Sequence, residues 1–195
     1  MRYVNLIISF MIFISFSFGI TDKQLDDLIG KDYKTFRGID ETGKVVNIKS
    51  LIKEGKPAVI IFFALGDKPG TFDFLPKMNA LYDRYGRNVT FVAVLLSRSS
   101  PEEVKQLKKM LPLKIPVLLA YNETIKRYSI SKVDVPYIVF IDKNGKIKRI
   151  ILRPESTMIK ERPDVDHSDY ENKTQNERIK SSIQIIEKYI KDIGG

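Results

Sequence analysis

The segment Asp164-Val165-Asp166-His167-Ser168-Asp169-Tyr170-Glu171 brings four carboxylates and the chain's single histidine together. Oxygen ligands at alternating positions are what a loop must offer a divalent cation. A calcium loop of the helix–loop–helix type starting at Asp164 requires glycine at its sixth place and glutamate at its twelfth. Those places hold Asp169 and Gln175, so the pattern fails twice. Asp166, His167 and Asp169 would still make a weak transition-metal set. A solvated acidic loop between a strand and the last helix accounts for the same residues, and no metal site is assigned.

Redox and nucleophilic chemistry meets a harder limit, because the chain contains no cysteine. That excludes thiol nucleophiles, redox disulfides, iron–sulfur clusters, zinc sites built on cysteine, and copper sites that need Cys and His together. No Ser–His–Asp elbow, phosphate-cradling glycine loop or dinucleotide fingerprint is present either. No catalytic residue and no cofactor are assigned. The 195 residues, 43% hydrophobic and 29% charged, suit one globular domain able to bury about 70% of its unfolded surface without a metal or disulfide staple.

Residues 3 to 20 carry no charge, with Arg2 before them and Asp22, Lys23, Asp26 and Asp27 after. A basic start, an apolar centre from Leu6 to Phe16 and small residues at Ser17 and Gly19 read as a secretory leader over 1–19, cut after Gly19. The same stretch fits the short limit of an uncleaved membrane anchor. Either reading puts the folded part, 20–195, outside the cytoplasm, periplasmic or secreted. There the net charge of +9 does not point to nucleic acid. The partner expected is another envelope or secreted protein, with the membrane touched only through an uncleaved leader or weak electrostatics. A denser basic group at Lys143, Lys146, Lys148, Arg149 and Arg153 reads as a solvated sheet edge guarded by charge.

The elements follow from periodicity. Tyr33 to Ile39 and Lys44 to Ile48 flank the turn Asp40–Gly43 as a hairpin. The continuous apolar run Ala58 to Leu65 suits a strand covered on both faces, and Val89 to Leu96 a second, parallel to the first. Phe72 to Tyr85 follows helical spacing, with Phe72, Leu75, Met78, Tyr82 and Tyr85 on one side. Ser100-Pro101-Glu102-Glu103 combines an N-cap, a proline at the first helical place and a capping-box glutamate for a helix to about Leu111. Ile115 to Leu119 is a short strand, and Asn122 caps a short helix through Tyr128. Pro136 to Ile141 and Lys146 to Leu152 form a hairpin across Asp142–Gly145. The last helix, about 174–193, buries Ile179, Ile183, Ile186, Ile190 and Ile193. Tyr33, Phe36, Tyr82, Tyr85 and Tyr137 read as core and rim rather than a base-stacking platform.

This order of elements resembles the thioredoxin superfamily, and within it the redoxin branch of extracytoplasmic thiol–disulfide oxidoreductases and peroxiredoxin-like proteins. The resemblance is carried by LIGKDYKTFRGIDETGKVVNIKSL (28–51), GKPAVIIFFA (55–64), Leu75-Pro76 ahead of NALYDRY, and VPYIVFIDKNGKI (135–147). It covers about 28–152, with the helix at 174–193 a looser fit. It implies an α/β, thioredoxin-like fold: a mixed central sheet flanked by helices, with an N-terminal β-hairpin. Pro76 supports it, since a proline inside a helix costs about 3 kcal/mol and the family bends its helix there. The family also places a cis-proline before the strand facing its site, which falls on Pro136 and leaves the Val135 backbone to pair with an extended substrate.

The departure lies where the chemistry should be. Counted back from Pro76, the two family cysteines fall on Lys68 and Thr71 within Asp67-Lys68-Pro69-Gly70-Thr71; shifted by one, they fall on Asp67 and Gly70. Neither register supplies a thiolate. Lys68 as a Schiff-base nucleophile would need a desolvated or cationic setting, and its neighbours Asp67 and Asp73 keep the ammonium charged. Thr71 or Asp67 is expected to cap the helix instead. Two functions follow from the resemblance. One is an exported, redox-inactive protein that binds an extended partner segment at Asp67, Lys68, Pro69, Gly70, Thr71, Val135 and Pro136, as chaperone, adaptor or assembly factor. The other is a redoxin-type oxidoreductase or antioxidant role that relies on a partner's thiols or a bound cofactor. A structural envelope protein with a basic face is a third reading.

Overall fold

A strand whose side chains are apolar on both faces must be covered on both faces, and Ala58–Phe63 is such a strand. All six of its residues are fully buried. The computed structural model describes residues 20–96, 99–120, 122–131 and 133–195; the leader read at 1–19 lies outside them. In chain order the elements are α1 (Asp22–Asp26), β1 (Arg37–Ile39), β2 (Val45–Asn47), α2 (Ile48–Leu51), β3 (Ala58–Phe63), α3 (Met78–Tyr85), β4 (Thr90–Leu95), α4 (Pro101–Met110), β5 (Val117–Leu119), α5 (Asn122–Tyr128), β6 (Tyr137–Ile141), β7 (Ile147–Leu152), β8 (Lys160–Arg162) and α6 (Gln175–Asp192).

The strands form one mixed sheet in the order β2-β1-β5-β4-β3-β6-β7-β8. β3 lies parallel to β4 and antiparallel to β6, with Ile61 opposite Ala93 on one side and Ile138 on the other. Alternate residues of β3 feed two cores. Val59, Ile61 and Phe63 pack with α3, α4 and α6 through Met78, Leu107, Ile186 and Ile190. Ala58, Ile60 and Phe62 pack on the other face with Leu25, Ile48 and Tyr128. The mixed sheet, its flanking helices and the N-terminal hairpin are as expected from sequence.

Local signals are realised closely. The β1–β2 turn is closed by Asp40 Oδ1, which accepts the N–H groups of Thr42 and Lys44, with Gly43 at φ 88°. The β6–β7 turn repeats this with Asp142 and Gly145 at φ 77°. Ser100 and Glu103 form the capping box of α4, and Thr174 and Glu177 that of α6. The capping side chain expected at Asn122 lies outside the described set. Phe36 and Tyr137 are buried, and Tyr33, Tyr82 and Tyr85 are half-buried, so the aromatics are core and rim.

Four readings need correction. The helix expected over Phe72 to Tyr85 is divided into a π-helical turn at Pro69–Phe74, a 3-10 turn at Leu75–Lys77, and α3. Pro76 has no N–H to give to a regular ladder, and the Leu75 N–H reaches Gly70 instead. Phe72, expected on the packed side, is 39% exposed. The short strand β8 was not legible, and it covers β7 along Ile150–Leu152, while the bridge from Asp32 to Lys146 covers its start. The basic group is therefore not a sheet edge: Lys146 pairs with Asp32 at 2.8 Å and Arg149 with Glu161 at 2.5 Å. The 164–171 loop is only partly solvated, since Tyr170 is buried and His167 Nε2 turns to the buried Glu161 at 3.0 Å. The outermost strands, β2 and β8, have three residues each.

Phe62 sits among Tyr128, Tyr137 and Phe36, with ring centroids 5.0, 5.7 and 6.1 Å away. Phe62→Ala is expected to cost about 3–5 kcal/mol in urea denaturation. Met158→Ala, at an exposed position, should change stability by less than about 0.5 kcal/mol. Equal midpoints for the two would remove the aromatic cluster from the account of the core.

Candidate functional site

Three chain segments meet where β3 ends, β6 begins and β7 ends. The first is the turn after β3. Its Asp67 N–H donates to the Ala64 carbonyl at 3.2 Å, and the Thr71 N–H to the Asp67 carbonyl at 2.9 Å. Thr71 is fully buried and its hydroxyl donates back to Ala64 O at 2.7 Å. It does not cap the following turn; Lys68, at the N-cap place, makes no side-chain cap, and the Gly70 amide acts on the Asp67 carboxylate. The capping expected of Thr71 fails because its hydroxyl turns back to Ala64, where the chain bends into a wide π turn.

The second segment is Val135-Pro136, whose peptide bond is cis. Gly70 lies against it so closely that a β-carbon there would come within 2.4 Å of Pro136 Cδ and 2.0 Å of Asp67 Oδ2. Only glycine fits. Val135 is buried, and its backbone makes no backbone–backbone hydrogen bond among the described residues.

The third segment, Arg153–Thr157, is clamped to α6. Arg178 Nε donates to the Glu155 carbonyl at 3.0 Å, and the Ser182 hydroxyl donates to Pro154 O. Gln175, in the first turn of α6, donates to Asp73 at 2.7 Å and so ties the helix to the π turn. Between the three segments lies a cavity of about 630 Å³, lined among others by Asp67, Pro69, Val135, Arg153, Glu155 and Arg178.

Of the seven residues singled out from sequence, the structure thus brings Asp67, Pro69, Gly70 and Val135-Pro136 into one place. Thr71 faces away into the core, and Lys68 is exposed and does not line the cavity. Glu155 and Arg178 were not foreseen. Glu155 follows a strand without any motif of its own, and its burial depends on contacts with a helix more than twenty residues later; no local signal marks it. Arg153 was foreseen only as part of a basic edge.

The electrostatics are unusual for a surface cleft. Glu155 is 5% exposed, and its Oε2 is buried without a hydrogen-bond partner. Burial pushes its pKa up to about 7, with the neighbouring Asp67 charge adding to the rise and Arg153 and Arg178 opposing it. Asp67 Oδ2 is likewise buried and unpartnered. Desolvation raises its pKa, offset in part by the Gly70 amide and by Arg153. Arg178 is committed to backbone carbonyls, those of Glu155, Tyr170 and Lys173. Among the described residues, the buried atoms of the cavity wall left unsatisfied are acceptors, Asp67 Oδ2 and Glu155 Oε2, with the Arg153 guanidinium beside them. The arrangement can receive a hydrogen-bond donor or a cation, and it holds no group able to attack a disulfide or a peroxide. The Asp166–His167–Asp169 set is not assembled: Asp166 accepts from Ser168, Asp169 pairs with Lys173, and His167 faces Glu161.

Two expectations follow. Gly70→Ala should lower thermal stability by about 1–3 kcal/mol through overpacking against Pro136. Gly66→Ala, where a β-carbon meets nothing within 4 Å, should be close to neutral; equal melting temperatures would mean the turn does not rest on the proline. For Glu155, the folded chain holds its proton more tightly than the unfolded chain, whose value is 4.5. Unfolding then releases a proton in this window, so stability falls as pH rises from 4.5 to about 7. Glu155→Gln should flatten that part of the melting-temperature profile, and two parallel profiles would contradict the assignment.

Compared with known proteins, residues 29–150 match the model of the AhpC/TSA family. Among solved structures, the thioredoxin domain of a thiol-disulfide oxidoreductase from Bacteroides vulgatus superposes with a TM-score of 0.53 at 21% identity, over 61% of this chain and 84% of that one. A thioredoxin-family thiol:disulfide interchange protein from Chlorobium tepidum gives 0.51 at 21% identity, over 79% and 97%. A peroxiredoxin-like protein from Aquifex aeolicus gives 0.52 at 15% identity, over 64% and 75%. At these identities the likeness shows the fold, which is thioredoxin-like. No curated protein matches the chain.

Proposed function

Since the chain belongs to the AhpC/TSA family and contains no cysteine, we propose that it is an exported, redox-inactive member that binds an extended segment of a partner protein. The segment lies in the groove between the 64–71 turn and Val135-Pro136. The observation that carries this reading is the close contact of Gly70 on Pro136 beside an open cavity of about 630 Å³, at a turn that has no thiol to present. A scaffold kept at glycine-only closeness around a site without its nucleophile is suited to holding a chain rather than reacting with it.

Two further features support the reading. The Val135 backbone, unpaired with other backbone among the described residues, offers the main-chain hydrogen bonds that recognise an extended peptide, and pockets beside such a strand choose its side chains. Leu65, Phe72, Val133 and Met158 are exposed apolar side chains belonging to the segments that build or flank the cavity, as expected of a protein-binding surface. The side chain that enters the cavity meets Asp67 and Glu155, so the segment carries a lysine or arginine there.

The test is a titration of isotope-labelled protein with extended peptides that differ only by lysine or norleucine at the central place. Amide resonances of 64–70 and 133–136 should move, and lysine should bind about tenfold or more tightly, as for a hydrogen bond to a charged group. Perturbations confined elsewhere would defeat the groove. Reduction of insulin disulfides or of hydroperoxides in the presence of a thiol-bearing partner would favour the oxidoreductase role instead.

A further inference from the structure

Asp134 is a buried carboxylate, 6% exposed, immediately before Val135-Pro136. Its Oδ2 accepts two backbone N–H groups, from Ser131 at 3.0 Å and from Ile20 at 2.9 Å, the second reaching across 114 residues of sequence. The Asp134 N–H in turn donates to Ser131 O at 3.1 Å. Ser131 and Asp134 are therefore tied to each other twice, a turn closure directly ahead of the proline of the groove. Among the described residues no lysine, arginine or histidine forms an ion pair with Asp134. Two neutral donors lessen the cost of burying a carboxylate but leave its charge without a counter-ion among the described residues.

Ile20 is itself buried, 5% exposed, in the same apolar cluster as Leu25, Val135 and Tyr137. It is also the residue that follows Gly19, where the sequence pattern ends the leader. The geometry points to a processing site: we propose that the chain is cut between Gly19 and Ile20, and that the α-ammonium so created is the counter-ion of Asp134. The step is hydrolysis of one peptide bond by a leader peptidase. Water adds across the bond, Gly19 departs with the new carboxylate, and the Ile20 nitrogen becomes an ammonium. In the uncut chain the same nitrogen is a neutral amide, so the charge-assisted bond exists only after processing. Removal of the leader thereby fastens the turn that sets Val135-Pro136. The inference rests on the export half of the proposed function and is independent of what the groove binds.

The chain is expressed with its own leader in a secreting host, and the intact mass of the exported protein is measured. A mass beginning at Ile20 supports the proposal, and any other start overturns it. Separately, the protein is released from a fusion so that it begins either at Ile20 or at Gly19. The Ile20 form should melt several degrees higher, and Asp134→Asn should close the gap; equal melting of the two unsubstituted forms overturns the counter-ion role. Reductive methylation under native conditions needs no substitution. The Ile20 α-amine should resist it while surface lysines react, and modification at the rate of those lysines overturns the buried pair.

Discussion

The structure depends on withdrawing both faces of β3 from water. Each apolar side chain buried contributes about 1.5–3 kcal/mol, and β3 alone supplies six buried residues, alternately to two cores. One core needs α3, α4 and α6; the other needs α1, α2, α5 and the N-terminal residues. Because β3 is fixed in the middle of eight strands, its carboxyl end is a rigid point from which the following turn must depart. Pro136 at the start of β6 and Arg153 at the end of β7 reach the same point because both strands lie on the same side of β3. The site is thus a consequence of strand order, not of any one loop.

The groups at that point differ from those that thiol chemistry requires. A reactive thiolate needs electropositive surroundings and access. Here the buried hydroxyl of Thr71 is consumed by a backbone carbonyl, and the cavity wall sets Arg153 and Arg178 beside two carboxylates whose charge is opposed by burial. Such groups accept protons and donors, and they transfer no electrons. The surrounding frame is meanwhile maintained by contacts with little tolerance: Gly70 on Pro136, Arg178 on the Glu155 carbonyl, and Gln175 on Asp73.

How far the sequence revealed this follows from the range of the interactions. The two hairpin turns were legible because Asp40 and Asp142 satisfy the turn within four residues of themselves. The capping boxes at Ser100 and Thr174 were legible for the same reason. The apolar runs of β3 and β4 announced two-sided burial directly. By contrast, β8 is three residues, Lys-Glu-Arg, with no apolar alternation to reveal it. Its Glu161 is buried only because Arg149 and His167 converge on it while Arg149 also stacks over Tyr189 at 4.0 Å. At the site, the turn could be placed by the count from Pro76 and Pro136 by the family resemblance, whereas Glu155 and Asp134 owe their environments to α6 and to Ile20. Those partners are distant in sequence, and periodicity carries no information about them.

The sheet ends on both sides in strands of three residues, β2 and β8, the latter flanked by the ion pairs of Arg162 with Asp22 and Asp164. Outer strands that are short, and in β8 wholly charged, give a second sheet too little backbone to dock on. Polymerisation through the rims is therefore disfavoured in crowded surroundings, and the backbone of Val135, which makes no backbone–backbone hydrogen bond among the described residues, lies at the open end of the fold rather than along its border.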